Sequence, residues 1–255
     1  MQKTILITGG TSGFGKAIAY LFAKHGYNII ITGRRQERLF DIAQDINIQF
    51  DGIQIQTLCF DVRDREATIK AISNIDKVLF PTIDVIVNNA GLAAGLGTID
   101  EGNYADWDAM LDTNVKGLLN VSKEIIPQLI AQGFGHIINI SSIAGKTVYP
   151  KGNVYCASKY AVDALTQAMR IDLLQHSIKV TSINPGAAET EFSIVRFKGD
   201  ELKAKQVYDG FTPLNANDIA DAVYYVANLP AHVCINDLTI TCTTQANSHY
   251  SIKNL

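Results

Sequence analysis

Thr4-Ile5-Leu6-Ile7-Thr8-Gly9-Gly10-Thr11-Ser12-Gly13-Phe14-Gly15 is an apolar, β-branched run that empties into a glycine-rich turn, and a helical pattern follows from about Lys16 to His25. Glycines at such a junction permit a tight turn, let the backbone approach a pyrophosphate and allow helix and strand to pack closely, while the helix N-terminus attracts the anion. The spacing is Gly-x-x-x-Gly-x-Gly rather than the commoner G-x-G-x-x-G. A glycine-rich turn in isolation is often only a loop. The strand before it and the helix after it make this one a dinucleotide cradle, with Gly9, Thr11, Ser12, Gly13, Phe14 and Gly15 as candidate cofactor-binding residues.

Outward from that turn, short β-branched runs alternate with longer helical patterns, the signature of βαβ units around a parallel sheet. The strand candidates are Thr4–Thr8, Asn28–Thr32, Ile53–Phe60, Val85–Asn88, His136–Ser141, Lys179–Asn184 and Leu238–Thr241. Seven strands with intervening helices predict an α/β protein with a Rossmann-type, doubly wound, seven-stranded parallel sheet. No linker, low-complexity tract or internal repeat interrupts the pattern, so residues 1–255 are expected to form a single domain.

With 255 residues and 47% apolar content the chain can bury one substantial core. Its formal charge of -3 offers no electrostatic footprint for a polyanion, so neither nucleic acid nor an anionic membrane surface is an expected partner. Cys59, Cys156, Cys234 and Cys242 are scattered, without C-x-x-C or metal-ligand spacing, and are expected to be reduced thiols. The strand-like run begins at Thr4, leaving no room for a signal peptide, and no apolar segment has the length of a membrane span. A cytoplasmic protein is expected.

An NAD site usually carries an acid at the end of the second strand to bind the ribose hydroxyls. Here that place reads Thr32-Gly33-Arg34-Arg35-Gln36-Glu37-Arg38, with two adjacent arginines and no carboxylate at the strand end. Guanidinium groups suit a 2′-phosphate, which favours NADP through Arg34 and Arg35; the same residues also suit a solvated helix start. Asp61-Val62 follows the third strand and Asn88-Asn89-Ala90-Gly91 the fourth, both at the carboxyl edge where open α/β sheets bind ligands. Asp61 can accept a hydrogen bond from an exocyclic amine, or simply cap the next helix.

Tyr155-Cys156-Ala157-Ser158-Lys159 sets a phenol and an ammonium four residues apart in a helix-compatible stretch, so both side chains share a face. A free phenol has a pKa of about 10 and is ionised to roughly one part in a thousand at neutral pH. A fixed cation favours the phenolate, so Lys159 is expected to draw Tyr155 toward a pKa useful for proton transfer. Spacing alone does not establish this. Tyr20 and Lys24 stand equally far apart, yet Tyr20 falls in an apolar run and is expected in the core.

Thr8-Gly9-x-x-x-Gly13-x-Gly15, Asn88-Asn89-Ala90-Gly91, Ser142 thirteen residues ahead of Tyr155, Tyr155-x-Ala157-Ser158-Lys159 and Pro185-Gly186 together resemble the short-chain dehydrogenase/reductase family, in order and spacing, over essentially the whole chain. The resemblance implies a catalytic set of Asn114, Ser142, Tyr155 and Lys159. In it, Tyr155 exchanges a proton with the substrate oxygen while a hydride passes to or from nicotinamide, and Lys159 also holds the ribose hydroxyls. It further implies that Ser142 donates to the developing alkoxide, as in oxyanion sites, although a serine there also suits a strand-to-loop turn. Asn114, a poor residue for a helix interior, would hold a water linking Lys159 to solvent, or serve structure alone. Cofactor contacts are implied for Asp61, Val62, Asn88, Ala90, Gly91, Tyr155, Lys159, Pro185, Gly186 and Thr190. No metal is expected, because Tyr155 and Ser142 can manage the charge that hydride transfer leaves.

Glu189-Thr190-Glu191-Phe192-Ser193, Val195-Arg196-Phe197-Lys198-Gly199, Thr212-Pro213-Leu214 and Thr244-Gln245-Ala246 resemble the NADP-dependent 3-hydroxy acid dehydrogenase branch. That likeness implies a small substrate, a 3-hydroxy acid or a hydroxy amino acid of the serine or allo-threonine type, or the matching carbonyl. Carbonyl reduction of a sugar, diketone or acyl thioester, and a non-catalytic cofactor sensor, are the alternatives. Residues from about 187 to 213 would form a lid, in which Arg196 can hold a carboxylate bidentately or lie at the surface. Family likeness also implies a homotetramer, with Ala105–Gln132 and Val154–His176 pairing between subunits.

Overall fold

The computed structural model describes residues 2–253. Its strands are β1 (Thr4–Ile7), β2 (Asn28–Gly33), β3 (Ile55–Cys59), β4 (Val85–Asn88), β5 (Gly135–Ile140), β6 (Ile178–Pro185) and β7 (Asp237–Ile240). The helices are α1 (Gly13–Lys24), α2 (Gln36–Gln49), α3 (Arg65–Ser73), α4 (Tyr104–Leu111), α5 (Leu118–Gln132), α6 (Asn153–Asp172), α7 (Glu191–Arg196), α8 (Glu201–Gln206) and α9 (Ala216–Ala227). All strands pair in parallel, in the order β3-β2-β1-β4-β5-β6-β7. This is the expected seven-stranded doubly wound sheet, and each expected strand is found within two residues or so of its expected limits.

Parallel strands covered on both faces are apolar on both, and β1 is buried at every position. Alternation along the strands sorts its side chains between two cores. Ile5 and Ile7, with Ile29, Ile31, Val85 and Val87, pack under α1, α2 and α9, where Phe22, Ile46 and Val223 are wholly buried. Leu6, Ile30, Ile86 and Ile137 face the other way, against Val121, Ile125 and Leu129 of α5 and Val162 and Met169 of α6. Burial of each such aliphatic chain contributes about 1.5–3 kcal/mol.

The direction of winding reverses between β1 and β4, which are neighbours although β2 and β3 lie between them in sequence. Their carboxyl ends open a crevice there, the usual ligand position in such sheets. Helix α9 starts at Ala216, where Asn215 and Asp218 form a reciprocal capping box. Tyr20 is another difference: it is half-buried rather than core, and its hydroxyl bonds the Asp45 carboxylate.

Candidate active site

A cavity of about 540 Å³ occupies the crevice. Of the residues expected to bind cofactor or carry chemistry, all line it except Gly15, Asn88 and Asn114. Its floor is the turn between β1 and α1. Gly9 takes a φ of +67°, a left-handed conformation that glycine adopts without strain. Gly15 stands behind the turn: a Cβ there would lie 2.4 Å from the Gly9 carbonyl oxygen and 2.5 Å from the Asn89 amide nitrogen. It therefore lets α1 close on the loop and makes no contact with the cavity itself.

Asn88 is the first correction. Its amide nitrogen donates to Ser122 Oγ at 3.0 Å and Asn139 Oδ1 at 2.8 Å inside the α5–α6 layer, so it braces the sheet and does not face the crevice. The residue that turns toward the cradle is Asn89, which sequence reasoning passed over. Its amide donates to the carbonyls of Thr8 at 2.8 Å and Gly9 at 3.1 Å, while Thr8 Oγ1 accepts the backbone N–H groups of Asn89 and Ala90. Strand alternation carried one step past Asn88 would have found it.

At one end of the cavity, Arg35 Nη2 donates to Thr11 Oγ1 at 2.7 Å and Ser12 Oγ at 3.0 Å, and Arg34 lies 3.6 Å from Asp61. Asp61 is held chiefly by Arg63, at 2.6 Å. Burial opposes its charge, but the Arg63 bonds outweigh that and keep its carboxyl below the usual range. Asp61 lines the cavity as expected, with its carboxylate also paired with guanidinium groups. A glycine cradle in which Gly15 leaves no room for a Cβ, set beside two guanidiniums, suits a phosphorylated dinucleotide. Among the described residues no cluster of three His, Cys, Asp or Glu could hold a metal ion.

At the other end, the first turns of α6 bring Tyr155 and Lys159 into the cavity, both buried. Lys159 Nζ donates to the Ile140 carbonyl at 3.0 Å and stands 5.9 Å from the centre of the Tyr155 ring. Burial pushes the ammonium down to about 8. Burial also pushes the phenol well above its ordinary range, while the nearby Ser142 hydroxyl pulls the other way. The expectation that Lys159 draws Tyr155 toward neutrality is therefore not met in the protein alone: exclusion of water penalises the phenolate more than its neighbours support it. Of the two serines, Ser141 is tied to the Lys159 carbonyl at 3.3 Å, while Ser142 accepts the Ala144 N–H at 3.1 Å, donates to the Pro185 carbonyl at 3.4 Å and is the one whose hydroxyl favours the phenolate of Tyr155.

Asn114 lies in a π-helical turn, Asp112–Gly117, inserted between α4 and α5. Its amide is committed to protein groups: Oδ1 accepts the Leu92 N–H at 2.8 Å, and Nδ2 donates to Leu92 O at 2.8 Å and Ser158 Oγ at 3.0 Å. Both amide hydrogens are thereby used in bracing the loop beside Lys159, while Oδ1 keeps a second acceptor lone pair. Such π turns recur at functional sites, yet nothing in the sequence announces one.

Arg196 in α7 faces the same end, not solvent. Its Nη2 donates to the Tyr149 hydroxyl at 2.9 Å and its Nε to the Gly95 carbonyl at 3.3 Å. Its guanidinium carbon lies 5.8 Å from the Tyr155 ring centre, where it separates the main cavity from a smaller one of about 280 Å³. Phe192, four residues earlier, packs its ring 5.7 Å from that of Tyr155. Tyr149 carried no signal in the sequence, and Phe192 falls in the stretch Glu189–Ser193 without a role of its own being legible there.

The profile of the short chain dehydrogenase family matches residues 3–200. "Sulfoacetaldehyde reductase 2" of Chromohalobacter salexigens is 42% identical over 253 residues, 99% of each chain. "NADP-dependent 3-hydroxy acid dehydrogenase YdfG" of Salmonella typhi is 42% identical over 249 residues, 97% of this chain and 98% of that one. The solved closed form of serine dehydrogenase complexed with NADP+ superposes with a TM-score of 0.91 at 40% identity, covering 98% of each chain.

Proposed function

The chain belongs to the short-chain dehydrogenase family, and on that footing we propose that it is an NADP-dependent oxidoreductase moving a hydride between NADP(H) and a small 3-hydroxy acid or hydroxy amino acid, or the matching carbonyl. The observation that carries the substrate class is Arg196, whose guanidinium stands beside the Tyr155 ring with a donor on the Tyr149 hydroxyl. A small alcohol or carbonyl that presents its oxygen to Tyr155 can present a nearby anionic group to Arg196. The relatives named for 3-hydroxy acids and for sulfoacetaldehyde have such an anion in common.

When bound, the nicotinamide supplies the hydride donor or acceptor. Phosphate recognition falls to Arg34, Arg35 and the turn from Gly9 to Gly13, with Thr190 at the α7 end. Tyr155, kept neutral by burial, is a proton donor ready for a carbonyl oxygen. Ser142 adds a second hydrogen bond to the developing alkoxide. In oxidation the phenol must give up its proton first, and Lys159 is the cation that supports the resulting phenolate. With a pKa of about 8 it is mostly charged at neutral pH. Asn114 positions the chain around Leu92 beside that ammonium. The segment from about 187 to 213, carrying α7 and α8, acts as the substrate lid.

The same reading places the enzyme in the cytoplasm as a homotetramer, assembled through the faces of α5 and α6. It is supported by the absence, among the described residues, of a helix long and apolar enough to cross a membrane, and by exposed Leu119, Ile130 and Ile171.

The test follows NADPH absorbance with L-serine, allo-threonine, a 3-hydroxypropionate-type acid, sulfoacetaldehyde and uncharged ketones. Arg196→Ala is expected to raise KM for the anionic substrates by about 10- to 100-fold, the loss of a charge-assisted bidentate contact, while sparing the ketones. Equal losses on both classes would remove the anion-binding role.

A further inference from the structure

Glu191, the first residue of α7, reaches across the cofactor end of the cavity and binds two arginines of the β2–α2 junction. Its Oε1 accepts from Arg38 Nη1 at 2.8 Å, and its Oε2 from Arg38 Nη1 at 3.0 Å and Arg35 Nη1 at 3.1 Å. Burial opposes its charge, and the two guanidinium bonds outweigh that, so the carboxyl stays below its ordinary range. Arg35 is at the same time fixed to Thr11 and Ser12 of the glycine turn. A carboxylate thus holds the guanidinium cluster that the NADP reading assigns to a phosphate.

We propose that Glu191 is an internal competitor for the adenosine-side phosphate of the dinucleotide, tethering α7 to Arg35 and Arg38 until the phosphate displaces it. The proposal rests on the NADP reading above and deepens it. A phosphate monoester carries between one and a half and two negative charges near neutrality and three acceptor oxygens, against one charge and two oxygens for a carboxylate. The ion pairs it must replace are about half exposed, with side-chain exposures of 42% for Arg35, 47% for Arg38 and 42% for Glu191, and pairs in such positions are weak enough to exchange. Both anions cannot share the cluster without like-charge repulsion, so one leaves.

The consequence reaches the other end of the cavity. Glu191, Phe192 and Arg196 lie on one six-residue helix, and the latter two touch the Tyr155 region. Release of Glu191 at the phosphate end frees the same helix that carries the substrate-side arginine. Cofactor binding and lid position are then coupled through one carboxylate.

Isothermal titration of wild type, Glu191→Gln and Glu191→Ala with adenosine 2′,5′-bisphosphate, NADPH and NADH tests this without relying on turnover. Both variants are expected to bind the bisphosphate and NADPH about three- to tenfold more tightly, the range set by losing one or two exposed ion pairs, with NADH unchanged. Affinity for the bisphosphate that stays the same or falls in both variants overturns the proposal and leaves the NADP reading standing. Wild-type protein that fails to bind the bisphosphate, or prefers NADH, overturns the cofactor reading and the proposal with it. Glu191 is half-exposed at the start of a short helix outside the packed layers, so the variants retain the folded core.

Discussion

Tyr155 shows how burial sets a reagent's resting state. Taken from water, its phenol stays protonated above its ordinary range despite the opposing influence of Ser142, which prepares it to give a proton and not to take one. The neighbouring ammonium is depressed by the same loss of solvent. Replacing Tyr155 with Phe removes only the hydroxyl and leaves the ring against Phe192, so packing is little altered. Turnover of the Tyr155→Phe variant should fall by about 10²- to 10⁴-fold in both directions, while the rise in Tm on adding NADPH is retained. A protein that only senses its cofactor would be indifferent to the change, and unchanged turnover would remove Tyr155 from the chemistry. The sequence placed Tyr155 and Lys159 on one helical face correctly but could not weigh desolvation against charge, because burial is a property of the packed molecule.

Among the elements, the β1 turn and α1 were legible because a glycine pattern, a strand and a helix agree there. Adding a methyl group tests how close that packing is. Gly15→Ala would force a Cβ against the Gly9 carbonyl, so α1 must move off the loop. The expected result is a loss of about 1–3 kcal/mol in stability from overpacking and at least tenfold weaker NADPH binding, measured by urea unfolding and by titration. Normal affinity would mean that the loop tolerates the displacement. Elements without a repeating signal were harder to read. Six-residue helices such as α7 and α8 are too short to establish an apolar period, and they lie in the stretch from about 187 to 213 that reads from sequence as a lid without elements of its own. The π turn that holds Asn114 has no compositional mark. Adjacent Asn88 and Asn89 differ in role because successive side chains leave the strand on opposite faces, Asn88 being its last residue.

At the scale of the whole molecule, the sheet spreads titratable groups into places that water does not reach. His136 of β5 sits between layers, bonded through Nε2 to Thr181 at 2.7 Å, and burial, with a smaller push from Lys179, lowers its pKa to about 3. The folded protein keeps this imidazole neutral where the unfolded chain protonates it below about 6.5. Unfolding therefore takes up a proton in that window, and stability falls with decreasing pH by at most about 1.4 kcal/mol per unit. Urea midpoints measured between pH 6.5 and 5 should show this slope in wild type and a flatter one in His136→Gln; parallel slopes would assign the acid sensitivity elsewhere.

Asn89 carries a last implication. Its amide fastens the carbonyls of Thr8 and Gly9 from 80 and more positions further along the chain. A nascent polypeptide emerging from the ribosome with every glycine of the turn already made would still lack the brace that gives the turn its form. Nucleotide capture thus waits on synthesis of the fourth strand.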